Sequence, residues 1–313
     1  MKNVSQQFAE ICPLGGTTFV IVVHFPSTEY VRNGIIFCIA NSFVIIPTVV
    51  LNGISIPTIS RSSQLKAKLC YFVILLQSAV DMAVGSISLP LYTSIGASEV
   101  LGTADCVNTF VSQTIAYLVS ALSMATLYLL TFERYMSILH PVTHRSRLTK
   151  HRILIAFCCA CTLVVLGPVL QTTAEEVYGI TVIAVVLSIL LFTTFAYTKI
   201  FLAVKNMHFS GRDGIGDCSI EQTPSDLNKK RALREKKLAK SCLLVVVISY
   251  LSYVPSLACY SYYKDDPVAL KASLNWSMTV AALNASANSI IFFWKRPLLR
   301  GEALNVLKNL LHK

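Results

Sequence analysis

A chain of 313 residues that is 54% hydrophobic and only 14% charged, with a mean hydropathy of +0.61, carries more apolar surface than a soluble interior of this size absorbs. Seven bilayer crossings of about 23 residues would use roughly 160 positions, which leaves too little chain for a separate catalytic domain of usual size. The formal charge of +11 is gathered in clusters between apolar runs, a pattern that excludes nucleic acid as a partner and suits a lipid or protein surface beside a membrane.

Residues 1–30 read as an extracellular amino terminus. They lack the basic region, apolar core and cleavage site of a removed signal, and Phe19 to Val23 is too short to span. Asn3-Val4-Ser5 is a glycosylation acceptor on an external end. Apolar runs then predict crossings at about 31–51, 69–92, 107–139, 153–170 and 180–204. The polar stretch 205–230, with Gly211, Gly214, Gly216 and Pro224, reads as a flexible cytoplasmic loop. From Lys229 to Lys240 the absence of Gly and Pro favours a sixth helix that starts in the cytoplasm and continues into an apolar part at 241–260. A seventh crossing is predicted at 273–294. In 295–313, Pro297 suits a first helical turn, and Leu298, Leu299, Leu304, Leu307, Leu310 and Leu311 fall largely on one side of a 3.6-residue period. The expected fold is an all-α membrane protein: a seven-transmembrane helix bundle over 31–294 with a short amphipathic eighth helix and a cytoplasmic tail.

The basic clusters at 60–70, 134–152, 199–240 and 295–313 all fall on one side of such a bundle, and Asp105, Glu175, Glu176, Asp265 and Asp266 fall on the other. The lysine and arginine bias therefore places the amino terminus outside, in a multi-pass protein of the plasma membrane, with anionic lipid and a protein partner facing the basic side. The ten cysteines form no metal spacing. Cys12, Cys106 and Cys259 would lie on the oxidising side, which leaves room for one external disulfide among them, its pairing undetermined.

A carboxylate in mid-membrane is expensive and needs an explanation. Asp81 lies near the middle of the second apolar run with no basic residue in that run. Together with Asn41, Ser123, Asn284 and Asn288 it would supply one charge and several oxygens, suited to a monovalent cation or a water network. The alternative is a carboxyl that glues helices by hydrogen bonds. At the cytoplasmic end of the third run stands Glu133-Arg134-Tyr135, and before the sixth stands Glu235 among Arg231, Arg234, Lys236 and Lys237. Arg134 can pair locally with Glu133 or across helices with Glu235, which would make a two-state element. The plainer alternative is a boundary arginine reaching for headgroups. Pro255 can bend the sixth helix, with Tyr253 two residues before it. Nothing resembles enzyme equipment: no His-Glu-x-x-His, no phosphate-binding glycine loop and no Gly-x-Ser-x-Gly is present. No internal repeat is evident, which speaks against the two-half plan of many transporters.

Asn41, Asp81, Glu133-Arg134-Tyr135, Tyr253 with Pro255, and Asn288-Ser289-Ile290-Ile291-Phe292 together resemble the rhodopsin-like (class A) family of G-protein-coupled receptors, over about 31–310. Ala40-Asn41-Ser42-Phe43-Val44 is similar to that family's first-helix Gly-Asn-x-x-Val, and Tyr197 with Ile200 to its fifth-helix pair. The resemblance implies a receptor that transduces an extracellular ligand signal to a heterotrimeric G protein, with arrestin and receptor kinase as further partners. It assigns Glu133, Arg134, Tyr135, Glu235, Tyr197, Tyr253, Pro255, Asn288 and Phe292 to coupling and activation. It likens Asp81, Ser123, Asn284 and Asn288 to an allosteric sodium site; no other cofactor is implied. A ligand pocket is expected around Ala116, Tyr117, Ser120 and Tyr253, with Glu175, Glu176, Asp265 and Asp266 at its mouth, for a peptide or for a lipid or small apolar molecule. The chain is an atypical member: Ser252-Tyr253-Val254-Pro255 stands for Cys-Trp-x-Pro, Phe292 stands for a tyrosine, and the loop Gln171 to Gly179 has no cysteine. That loop resembles the branch of melanocortin, adenosine, cannabinoid and lysophospholipid receptors. The competing classes are a plasma-membrane transporter or channel and a non-signalling receptor-like scaffold.

Overall fold

The computed structural model describes residues 8–12, 20–210, 244, 247–248, 250–255, 258, 262–263 and 265–311. A two-stranded antiparallel hairpin comes first, β1 (Phe8–Ile11) and β2 (Ile21–His24), with Phe8 opposite His24 and Ile11 opposite Ile21. The helices follow: α1 (Thr28–Arg61), α2 (Ser63–Lys66), α3 (Leu69–Ala83), a π turn (Val84–Ser88), α4 (Leu89–Leu101), α5 (Cys106–Leu139), α6 (Pro141–Arg147), α7 (Lys150–Thr173), α8 (Glu175–Ser210), α9 (Pro267–Lys295) and α10 (Pro297–Leu311).

Local chemistry explains several boundaries. Short polar side chains take the first free backbone N–H groups: Ser27 accepts from Tyr30, Asp105 from Asn108, Thr149 from Arg152, and Asp266 from Val268 and Ala269. Gly102, in the left-handed region at φ 69°, ends α4. Pro90 has no N–H to return to the Ser86 carbonyl, and the winding just before it opens to the wider π turn.

Among the described residues, five helices are long and apolar enough to cross a membrane: Thr28–Arg61, Leu69–Leu101, Cys106–Leu139, Lys150–Thr173 and Glu176–Ala203. The chain is therefore a multi-pass membrane protein, and the expectation of seven crossings with an amphipathic eighth helix is corrected to five candidate crossings among the described residues. Half of the expected sixth crossing, 241–260, lies outside the described residues. The expected seventh is helical as α9, but Asn275, Asn284, Asn288, Ser273, Ser277, Thr279, Ser286 and Ser289 dilute its apolar content below that of the five. The tail forms no distinct short amphipathic helix of its own. α10 follows α9 after Arg296 alone, and its buried Leu299 and Ala303 pack on protein, Leu299 in one cluster with Ile59 and Phe292.

The packing is inverted relative to a soluble domain. α1 packs on α3, α4 and α9, while α5 packs on α3, α4, α7 and α8. Asn41, Thr48, Asn52, Gln77, Ser78 and Asp81 are fully buried, whereas Phe43 and Leu163 are 70% and 71% exposed and offer apolar surface to lipid. Buried hydroxyls without a lateral partner bond the carbonyl four residues back, as Ser55 does to Leu51 and Thr58 to Ile54. Close approach of α1 to the second span depends on small residues: a Cβ at Gly96 would stand 2.8 Å from the Phe37 ring, and one at Gly85 would stand 2.9 Å from Thr48.

Candidate functional site

The polar centre forms where α3, α5 and α9 meet. Gln77 and Asp81 are one turn apart and share a face of α3. Gln77 Nε2 donates to Asp81 Oδ1 at 2.8 Å, and the Ser123 hydroxyl of α5 donates to the same oxygen. Asn288 adjoins the Asp81 carboxylate, and Tyr253 adjoins Asn284. Asp81 Oδ2, Asn284 Oδ1, Asn288 Oδ1, Gln77 Oε1 and Ser78 Oγ are buried with no hydrogen-bond partner. The orphaned Asp81 Oδ2, with orphaned oxygens on its neighbours Gln77 and Asn288, fits a hard monovalent cation or ordered water better than a dry core, which would leave each uncompensated. Of the four residues expected at a sodium site, Asp81 and Ser123 bond directly and Asn288 stands beside them. Gln77, bonded to Asp81, brings a further amide to the cluster. Among the described residues no group of His, Cys, Asp and Glu is disposed to hold a metal ion.

At the far end of α5, Glu133 is held from two sides. Arg134 Nε lies 3.1 Å from its Oε2, and His144 Nε2 lies 3.2 Å from its Oε1. The Glu133 side chain is 1% exposed and that of Arg134 11%, so the pair is shielded from water and its geometry carries energetic weight. His144 comes from α6, the short helix directly after α5. Tyr135 packs against the Tyr197 and Ile200 cluster, as Tyr250 does, with its ring 6.0 Å from that of Phe195. Phe292 sits elsewhere, in the cluster of Ile59, Tyr71, Ile74, Leu129, Leu130 and Leu299. Pro255 is exposed. Glu235 lies outside the described residues, so the local Glu133–Arg134 pair is the one described.

Toward the hairpin end, Ala116 is fully buried among Phe37, Tyr92, Tyr117 and Trp276. Ser120 bonds the Ala116 carbonyl and Ser88, and Gln113 donates to the Tyr117 hydroxyl at 3.3 Å. Ala116, Tyr117 and Ser120 thus belong to one aromatic and hydroxyl cluster. The expected acidic rim does not join them: Glu176, Asp265 and Asp266 are exposed, and Asp266 caps α9. The Glu175 side chain, Asn3 and Cys259 lie outside the described residues. Cys12 and Cys106 form a disulfide that ties the hairpin to the start of α5, and Cys12 and Val22 pack against Ala104 and Phe110 there.

Two features escape a reading by sequence. The first is a buried ionic network: Lys271 Nζ of α9 lies 3.5 Å from Glu99 Oε1 of α4, and the Tyr30 hydroxyl of α1 donates to Glu99 Oε2 at 2.9 Å. The signal was present in a lone acid near the end of one apolar run and a lone base near the start of another. The second is a polar seam between α1 and α9. Trp276 donates to Asn33 at 3.0 Å, Thr279 to Asn41 at 3.0 Å and Ser289 to Asn52, while Thr48 pairs with Ser286. Its signal is the recurrence of Asn, Ser and Thr along both segments.

Residues 51–180, less than half of the chain, match the family model described as 7 transmembrane receptor (rhodopsin family). The matched stretch holds Asp81, Ser123, Glu133, Arg134, Tyr135 and His144, and that family is one of receptors and not of enzymes. No curated protein matches the chain.

Proposed function

We propose that this protein is a rhodopsin-like G-protein-coupled receptor of the plasma membrane, its amino terminus outside, carrying an extracellular ligand signal to a heterotrimeric G protein. The ligand is a peptide or a lipid or small apolar molecule. Arrestin and receptor kinase would meet the same basic face. The observation that carries the reading is the shielded Glu133–Arg134 pair, clasped by His144, within a stretch that matches the rhodopsin family. A ligand acts on such a bundle by shifting populations: the state in which Arg134 leaves Glu133 offers a guanidinium to the G protein, and the clasped state withholds it. The Asp81 cluster would hold sodium and favour the clasped state, because collapse of the centre would leave its oxygens without a ligand.

The test is guanine-nucleotide exchange on purified G proteins with the receptor in nanodiscs. Wild type should raise exchange, and Arg134→Ala should abolish the increase while ligand binding stays measurable. Full exchange by that variant would refute the role given to Arg134. A non-signalling scaffold is the second reading, favoured by the burial of Phe292 away from Tyr197; it requires no exchange above the empty-nanodisc control with any G protein.

A further inference from the structure

At the hairpin end, the first turns of α1 and α9 diverge and leave a cleft of about 600 Å³ lined by Glu29, Tyr30, Arg32, Asn33, Ile36 and Asp266, with Val268, Ala269 and Ala272 on the α9 side. A second groove of about 320 Å³ adjoins it along α1 and shares Arg32 and Ile36. The rim is charged, and Ile36, Val268, Ala269 and Ala272 supply the apolar part of the walls. Arg32 supplies one positive charge, while Glu29 and Asp266 supply two negative ones; all three are exposed. Glu99 and Lys271 behind the cleft are paired with one another and add no net charge. Below the rim, Ile36 begins the lipid-facing stripe of α1 with Ile39, Phe43 and Ile46, each at least half exposed.

We infer that this cleft is a binding site for a zwitterionic phospholipid of the surrounding bilayer, apart from the Ala116 cluster and needed for no step of the signalling proposed above. One guanidinium suits a phosphodiester, and the two carboxylates suit the ammonium of the same headgroup. An anionic lipid finds one favourable partner and two repulsive ones. The apolar wall running down Ile36 gives an acyl chain a continuous path, which a free headgroup would not use. Charge complementarity and this continuity select the occupant. The wall is also wired to the bundle: Tyr30 bonds Glu99 and Asn33 accepts from Trp276, so an occupied cleft steadies the contacts of α1 with α4 and α9.

The experiment is native mass spectrometry of the full chain released from micelles containing phosphatidylcholine and phosphatidylglycerol of identical acyl chains. Wild type should retain phosphatidylcholine with a preference of at least about fivefold, the equivalent of one exposed charge contact. Glu29→Gln with Asp266→Asn, in which the asparagine still caps α9, should erase the preference, and Arg32→Glu should lower retention of phosphatidylcholine itself. Circular dichroism confirms that each variant is folded. Equal retention of the two lipids by wild type, or a preference that survives both variants, would overturn the proposal. So would displacement of the lipid by soluble phosphocholine alone, since the acyl chain would then contribute nothing.

Discussion

Lys271→Met tests the buried network that joins three helices. Methionine keeps the apolar stem and removes the ammonium. It leaves Glu99, 1% exposed, with the Tyr30 hydroxyl as its one described hydrogen-bond donor. Removing one partner of a buried pair costs about 3–5 kcal/mol, because the other charge keeps its desolvation penalty and loses its compensation. In the double variant Lys271→Met with Glu99→Gln, the amide oxygen still accepts from Tyr30 and no charge is stranded, so all but about 1 kcal/mol should return. The double variant should then be about 2–4 kcal/mol more stable than Lys271→Met alone. Equilibrium unfolding in mixed micelles, followed by tryptophan fluorescence, reads this directly, since Trp276 lines the same small cavity as Glu99. Lys308→Met, on the exposed side of α10, serves as the control. The reasoning fails if Lys271→Met costs no more than that control, or if the double variant is as unstable as the single one.

Asp81→Asn should remove any effect of sodium on ligand binding, because the charge that would hold the ion is gone; a sodium response equal to wild type in radioligand competition would move the cation elsewhere. Cys106→Ser should free the hairpin and cost about 2–4 kcal/mol, given that the bridge closes a long loop between Cys12 and α5. Hydrogen exchange of Val20 to Val23 should rise severalfold, and unchanged protection there would show that packing alone holds the strands. Gly96→Val should force α1 from α4 at Phe37 and lower stability by about 1–3 kcal/mol; an unfolding midpoint equal to wild type would mean that Phe37 yields freely.

The first five apolar runs are legible because lipid rewards uninterrupted hydrophobicity. The third is predicted at 107–139 and found at Cys106–Leu139. The second is predicted to stop at 92 but continues to Leu101: Ser94 and Ser98 return their hydroxyls to the Leu91 and Ile95 carbonyls of the same helix, and Glu99 meets Tyr30 and Lys271. The helix of α9 is legible at 273–294, but the partners of its polar side chains are not: Trp276, Thr279, Ser286 and Ser289 meet Asn33, Asn41, Thr48 and Asn52 across the seam. Asp81, Ser123 and Asn288 are legible as a cluster because a mid-membrane charge must be answered. Gln77 passes unnoticed because one more amide in a helix carries no such demand. His144 is invisible for a different reason, as a loop histidine acquires meaning only once α6 folds back on Glu133. The hairpin rests on strands of four residues each and a long-range disulfide, and none of these imposes a periodicity.

The π turn at Val84–Ser88 stores one surplus residue in the middle of the second span, between the Asp81 cluster below and Glu99 above. Such slack decouples the two halves in phase. Deleting the lipid-facing Ile87 would tighten the winding locally and leave Leu89–Leu101 at its station, with Glu99 still opposite Lys271. The straight run of α3 holds no reserve, and losing one residue there would carry Asp81 around by about 100° and away from Ser123. The second span can therefore tolerate a change of length at that single place and keep both of its buried carboxylates aimed.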